Sequence, residues 1–153
     1  MGEQRDHQER LKKQTRDADD SDVTDEITRS MHLVLHHLVE HTPGVTGALV
    51  ASADGFTLAS RLAPHTEIDT AGLGAMAAAA LALSNQLVGT VGEARANVSH
   101  HQSAEGQVLI LPIAHVAVLT VLATTGTDLA RLAEVSRESV HSLQRLFRGL
   151  ATV

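Results

Sequence analysis

Four histidines in the first predicted helix have the spacing of metal ligands. His32 and His36 form one i, i+4 pair, and His37 and His41 form another. Such a pair on one helical face can chelate a divalent cation. The sequence positions no third ligand, however, and these helical faces are expected to look outward. We therefore predict surface histidines and no metal site.

The dipeptide Asp54-Gly55 lies between two short apolar runs, which raises the question of whether Asp54 is an active carboxylate. Asp-Gly between β-type runs is the strongest short-range signal for a β-hairpin, because a type I′ turn needs φ > 0 at both central positions. This geometry accounts for Asp54 without any chemistry. We predict a structural turn at Asp54 and Gly55, with a functional carboxylate as the alternative.

The run from Gly72 to Ala77, GLGAMA, matches the loose dinucleotide-binding pattern G-x-G-x-x-A. That site needs its glycines in a turn directly after a strand. Here a loop comes first and the glycines lie inside an apolar helical run, so close helix packing is the better explanation. The sequence also lacks a Walker motif, a G-x-S-x-G elbow and any cysteine. We predict no catalytic residue and no bound cofactor.

Charge is unevenly distributed along the chain, whose formal net charge is −6. Residues 1–16 hold five basic and three acidic groups, and residues 17–26 hold six acidic groups. Residues 1–22 have almost no apolar content and are predicted to be a disordered charged tail before a single domain, residues 23–153. A docking arm is the alternative interpretation of this tail.

The remainder, residues 27–153, contains seven arginines and no lysine. It shows no basic stripe, so nucleic-acid binding is not expected. The N-terminus has no apolar segment of the kind found in secretory signals, and the cytoplasm is the expected location.

Hydrophobic periodicity predicts the element order α-β-β-α-β-β-β-α. The first helix begins at Thr24 or Asp25 and ends near Glu40, the second runs from 70 to about 91 behind an Asp69 cap, and the third ends near Leu150. Strands are predicted at residues 45–52, 56–62, 95–101, 107–113 and 116–123, the third of them at an edge. The hairpin connections indicate an α+β fold, with a mostly antiparallel sheet between helices.

The second helix is unusual because no residue from Ala71 to Leu83 is polar. A helix that is apolar all round must be covered all round. One face can rest on the domain's own sheet, and the other then needs a partner. A membrane span would need about 20 apolar residues. The run ends at Ser84, so direct membrane insertion is not expected.

Three stretches together resemble the roadblock/dynein light chain domain, over about residues 27–150. They are HTPGVTGALVASADGFTLAS, AGLGAMAAAALALSNQLVG and GQVLILPIAHVAVLTVLATTGTDLARL. The most similar version is the bacterial, actinobacterial-type one, which is associated with Ras-like GTPases and often with histidine-kinase-like proteins. The resemblance implies a five-stranded antiparallel sheet between helices, a roadblock/profilin-like α/β/α sandwich.

The resemblance also implies a homodimer built through the second helix and the third strand, with the two sheets joined edge to edge. The candidate interface residues are Leu73, Met76, Ala79, Ala80, Leu83, Leu87, Asn97 and Ser99. The implied function is non-catalytic: the dimer binds a Ras-like small GTPase and modulates its nucleotide cycle or location, with recruitment to the membrane through partners. The alternatives are a scaffold in a sensor-kinase complex and a ligand-binding or enzymatic α/β domain.

Overall fold

The computed structural model describes residues 2–151, so Met1, Thr152 and Val153, at the outer ends of the predicted tail and domain, lie outside the described residues. The elements are α1 (Gly2–His41), β1 (Val45–Ser52), β2 (Thr57–Leu62), α2 (Thr70–Gly89), β3 (Ser99–Gln102), β4 (Gln107–Ile113), β5 (Ala117–Ala123) and α3 (Leu129–Ala151). This order is the predicted one, and the α+β fold class is confirmed.

The five strands form one antiparallel sheet in the order β2-β1-β5-β4-β3. α1 and α3 cover one face through a core that includes Leu35, Leu119 and Leu132. α2 covers the other face through a smaller core that includes Leu81 and Val118. Coverage on both faces explains why β4 and β5 read as nearly continuous apolar runs. β2 and β3 are the two edge strands.

α2 lies close to the sheet because Gly74 has no side chain. A Cβ at this position would overlap the Thr57 hydroxyl. That hydroxyl donates a hydrogen bond of 2.7 Å to the backbone carbonyl of Thr70. Asp69 caps the helix as predicted, its carboxylate accepting from the Gly72 N–H at 3.1 Å. The two glycines of the nucleotide-like pattern therefore serve the start of the helix and its packing.

The β1–β2 turn lies where the sequence predicts it, but the predicted type I′ geometry is wrong. Gly55 has φ +91°, whereas the φ of Asp54 is not positive. The Gly55 N–H donates to the Ser52 carbonyl at 2.9 Å, and the Ser52 N–H donates to the Phe56 carbonyl at 2.8 Å. This pattern is a three-residue loop that begins at Ala53 and ends with glycine in the left-handed region. Asp-Gly suits this longer loop equally well.

β3 is shorter than predicted and begins at Ser99 rather than at residue 95. The Ala96 N–H donates to the Asn85 side-chain carbonyl on α2, at 2.8 Å. A backbone group that bonds to a helix cannot pair with a neighbouring strand. The chain before Ser99 is therefore tied to α2 and not to the sheet.

An ion pair links α1 to the edge strand β2: Arg61 Nη2 lies 3.0 Å from Glu40 Oε1. The hydrogen bond from Arg61 lowers the pKa of Glu40 below its ordinary value. Because the pKa of Glu40 is lower in the folded state, any stabilisation from this ion pair is fully present at a pH above the pKa of Glu40 in the unfolded chain. This stabilisation is lost as the pH falls through the lowered, folded-state pKa. Both side chains are exposed, so the pair contributes little.

α1 begins at Gly2, so the helix includes the segment that the sequence predicts to be a disordered tail. Residues 2–22 are all exposed, and the helix there has no apolar face to pack. Oppositely charged residues four apart, such as Glu9 and Lys13, favour the helix weakly. Helical propensity without packing gives marginal stability, and disorder of this segment in solution remains a prediction.

Removing residues 1–22 is expected to leave the melting temperature of the domain nearly unchanged, because no side chain from 2 to 22 is buried. Thermal unfolding followed by circular dichroism measures this. A deletion extended to residue 30 is the comparison, since it removes Ile27, which packs against the core. A fall of more than about 5 °C on removing residues 1–22 alone would show that this segment packs on the domain.

Candidate interaction surface

α2 presents a row of exposed apolar side chains on the side away from the sheet. Its buried residues, such as Leu81, face the sheet, whereas Met76 is 63% exposed and Leu87 is 62% exposed. Leu83 and Ala79 are also exposed. Met76, Ala79, Leu83 and Leu87 follow one another at helical spacing, and we call these four residues the α2 face. An exposed apolar row of this kind is typical of a protein–protein contact.

The structure divides the eight interface residues expected from the resemblance into two groups. Those on the surface are Met76, Ala79, Leu83, Leu87 and Asn97. The half-buried ones are Leu73, Ala80 and Ser99. Ala80 packs against the small core under α2, so it supports the fold and is not available to a partner. That these residues form an interface remains a proposal.

The edge strand β3 adjoins the C-terminal half of α2 through side-chain hydrogen bonds. Ser84 Oγ donates to the Ala80 carbonyl at 2.8 Å and lies 3.1 Å from Ser99 Oγ, which in turn lies 2.9 Å from His101 Nε2. Each hydroxyl has a single proton. Ser84 is the donor in both of its bonds, so its proton is shared between the Ala80 carbonyl and Ser99 Oγ.

Through Ser99, the first residue of β3, these bonds connect Ser84 of α2 to the edge strand. The bonds have a structural effect, because they hold the open edge of β3 beside the α2 face.

The four histidines with the spacing of metal ligands, His32, His36, His37 and His41, are all exposed on α1. The rings of His37 and His41 stack with centroids 4.3 Å apart. Both line a groove of about 450 Å³ between α1 and α3, together with Leu33 and Glu138. Within residues 2–151, no group of three or more His, Cys, Asp or Glu side chains is placed to hold a metal ion.

α2 is the only helix within residues 2–151 that is long and apolar enough to cross a membrane by length and composition. In the structure it packs on the sheet through Ala77 and Leu81, and an aspartate caps its first turn. One side of the helix is therefore covered by the sheet, and much of its remaining apolar surface is open.

No protein with curated annotation matches the sequence. Among solved structures, the chain is similar to MglB from Myxococcus xanthus, with a TM-score of 0.73 and 19% identity, over 80% of this chain and 91% of that one. An MglB with a tetrameric arrangement has a TM-score of 0.72 and 20% identity, over 78% of this chain and 89% of that one. A Roadblock/LC7 domain from Streptomyces avermitilis has a TM-score of 0.69 and 19% identity, over 76% and 97%.

At these identities the structural likeness concerns the fold alone. The family assignment rests on sequence, because the profile of the Roadblock/LC7 domain matches residues 31–123. That range contains the end of α1, the whole sheet and α2. The chain therefore belongs to the Roadblock/LC7 domain family.

Proposed function

We propose that this chain is a non-catalytic regulatory module that forms a homodimer and binds a Ras-like small GTPase. The observation that carries the proposal is the exposed α2 face on a helix whose opposite side packs on the sheet. Membership of the Roadblock/LC7 family supports the choice of partner. The proposed site of action is the cytoplasm, with recruitment to the membrane through partners.

Self-association is supported by the position of the α2 face beside the open edge of β3. An edge strand leaves a row of backbone N–H and C=O groups unpaired, and a second strand satisfies them. A two-fold interface uses the same patch on both copies, so residues near the axis meet their own counterparts. A second copy could therefore cover an apolar helix and pair an edge strand in one contact. The MglB of similar fold with a tetrameric arrangement gives an example of self-assembly on this scaffold.

The effect on a GTPase is expected to be indirect. An arginine supplied to a GTPase active site accelerates hydrolysis by about 10³–10⁵. α2 contains no arginine, so the surface proposed for contact offers none from this helix. We infer that any change in nucleotide turnover comes from reshaping the switch loops of the GTPase.

The proposal predicts that the dimer binds a Ras-like GTPase and turns over no GTP alone. Calorimetric titration against the GTPase loaded with GDP or with a GTP analogue measures binding, and phosphate release with and without this chain measures turnover. Met76→Asp is expected to weaken binding by at least about ten-fold, because its charge in the α2 face disrupts the homodimer, whose two α2 helices together form the proposed GTPase surface.

Ala130→Glu, on the exposed side of α3, is the matched control and should bind as wild type does. No binding in either nucleotide state would remove the GTPase from the proposal. Binding with unchanged hydrolysis and exchange would favour the scaffold alternative over regulation of the nucleotide cycle.

A further inference from the structure

A cavity of about 260 Å³ opens on the side of α2 opposite Met76. Ala78 and Asn85 line it, and both lie about half a helical turn from Met76 around the helix. Its other walls come from the ends of β4 and β5 and from the loop before β3. The cavity is thus distinct from the α2 face. Apart from Asn85, Asn97, Arg95 and His115, its lining is apolar.

Two exposed apolar side chains lie on the neighbouring turns. Phe56, one of only two aromatic residues in the sequence, is 70% exposed on the β1–β2 turn, and Val116 is 51% exposed at the β4–β5 turn. The turns are joined by a hydrogen bond of 3.0 Å from the Ala53 N–H to the Val116 carbonyl. Aromatic side chains bury a large area and are enriched among the residues that dominate binding energy.

The charge at the cavity indicates which chemical group a binding partner should carry. Among the described residues that line it, Arg95 is the only arginine, and there is no lysine, aspartate or glutamate. Its guanidinium makes no hydrogen bond or ion pair with any part of the chain from 2 to 151. An unpaired guanidinium beside an apolar cavity fits a carboxylate, which it can bind with two parallel hydrogen bonds.

The β4–β5 turn, which places His115 at the cavity, has an uncommon backbone conformation at Ala114. Ala114 has φ +50°, in the left-handed region that residues other than glycine rarely adopt. Conformations of this kind tend to persist at binding sites, where the surrounding structure fixes them. We call Phe56, Arg95, His115, Val116 and the cavity the turn-end surface.

We propose that the turn-end surface binds a segment of a partner protein in which an apolar side chain stands next to a carboxylate. The apolar side chain enters the cavity, and the carboxylate bonds to Arg95. Phe56 and Val116 pack on the flanking residues of that segment. A peptide fits better than a small molecule, because small-molecule pockets measure about 300–1,000 Å³ and because the exposed Phe56 lies outside the cavity.

The surface shares no residue with the α2 face, and of the eight expected interface residues only Asn97 lines the cavity, so the test does not require the GTPase. The full chain, labelled with ¹⁵N, is titrated with the peptide acetyl-Leu-Asp-Leu-Asp-amide and its amide shifts are recorded. We expect saturable shifts at residues that line the cavity, including Ala78, Ala96 and His115. Acetyl-Leu-Lys-Leu-Lys-amide should bind at least about ten-fold more weakly, because Arg95 repels it.

Two variants separate the contributions, and both change exposed side chains. Arg95→Gln should weaken binding of the acidic peptide by about ten-fold through loss of the ion pair, and Phe56→Ala by a similar factor through loss of packing. Arg137→Gln, an exposed arginine on α3, is the matched control and should bind as wild type does.

Three results would overturn the proposal. The first is that the amide shifts of the cavity residues do not saturate at peptide concentrations up to about 10 mM, because a weaker dissociation constant would not define a site. The second is equal binding of the lysine peptide. The third is that 4-methylpentanoate binds as tightly as the acidic peptide and is unaffected by Phe56→Ala, which would assign the cavity to a small carboxylate.

Discussion

Ala79→Glu is expected to convert the proposed homodimer into a monomer. Ala79 lies in the middle of the α2 face and is exposed, so a longer side chain fits the single chain without a clash. In a two-fold contact the new carboxylate would be buried without a partner and would lie near its own copy. Burial of an unpaired charge costs several kcal/mol, enough to abolish a micromolar dimer. Size-exclusion chromatography with light scattering measures the mass.

Two other alanines make this experiment specific. Ala130→Glu adds the same side chain to an exposed position on α3 and should leave the dimer intact. Ala80→Glu changes the next residue on α2, but Ala80 packs against the small core, so unfolding is expected rather than simple dissociation. A wild-type protein that is monomeric at about 10 μM, or an Ala79→Glu protein of dimeric mass, would contradict the proposed interface.

Gly44→Ala is expected to destabilise the domain by about 3 kcal/mol, which lowers its melting temperature by roughly 10 °C. Gly44 joins α1 to β1 with φ +89°, which an alanine adopts only under strain. A Cβ at this position would also overlap the Thr127 hydroxyl and would lie 3.2 Å from that of Thr124. The carbonyl of Gly44 accepts the Thr124 N–H at 2.8 Å, so the backbone cannot shift freely.

Chemical denaturation of matched variants separates strain from overlap. Gly126→Ala makes the same change in the neighbouring loop. Nothing lies within 4 Å of the added Cβ there, and φ is not positive, so the free energy of unfolding should change little. Adding Thr127→Ala to Gly44→Ala removes the overlapping hydroxyl and should recover part of the loss, as a double-mutant cycle can show. A loss below about 1 kcal/mol for Gly44→Ala would mean that the loop relaxes without cost.

Sequence patterns predicted the elements that depend on local chemistry. The Asp69 cap is an example, because its partner lies three residues away. The outward side of α2 could not be predicted in the same way. Between Ala71 and Leu83 every side is apolar, so periodicity carries no information about direction. Only the fold shows that Ala79 is exposed while Ala80 contacts the core.

The turn-end surface was also beyond prediction from the sequence. Phe56 and Val116 belong to different hairpins, and strand alternation does not tell which hairpin ends meet. They are neighbours because β1 pairs with β5 rather than with β4, a choice made by the whole sheet. Val116 was expected within a strand, but β5 begins one residue later, and this leaves Val116 on the turn.

The N-terminal part of α1, residues 2–22, shows a different limit of prediction from the sequence. The low apolar content of residues 2–22 correctly indicates that none of their side chains is buried. It does not indicate whether they form coil or helix. That choice depends on propensity, and glutamate, glutamine, arginine and lysine all favour the helix. The boundary at Thr24 predicted from the apolar pattern therefore marks where packing begins and not where the helix begins.

Alanine occupies four of the exposed positions on α2, at residues 71, 75, 79 and 82. A methyl group has no rotamers, so a partner that covers these positions immobilises almost nothing, whereas a lysine or methionine would lose up to about 2 kcal/mol of side-chain entropy. A methyl group also has no distinctive shape or charge, and it gives the helix little power to tell one partner from another. In the proposed dimer, mixed pairing with related chains is therefore expected of such a helix, and we expect Met76, Leu83 and Leu87 to set the choice between partners.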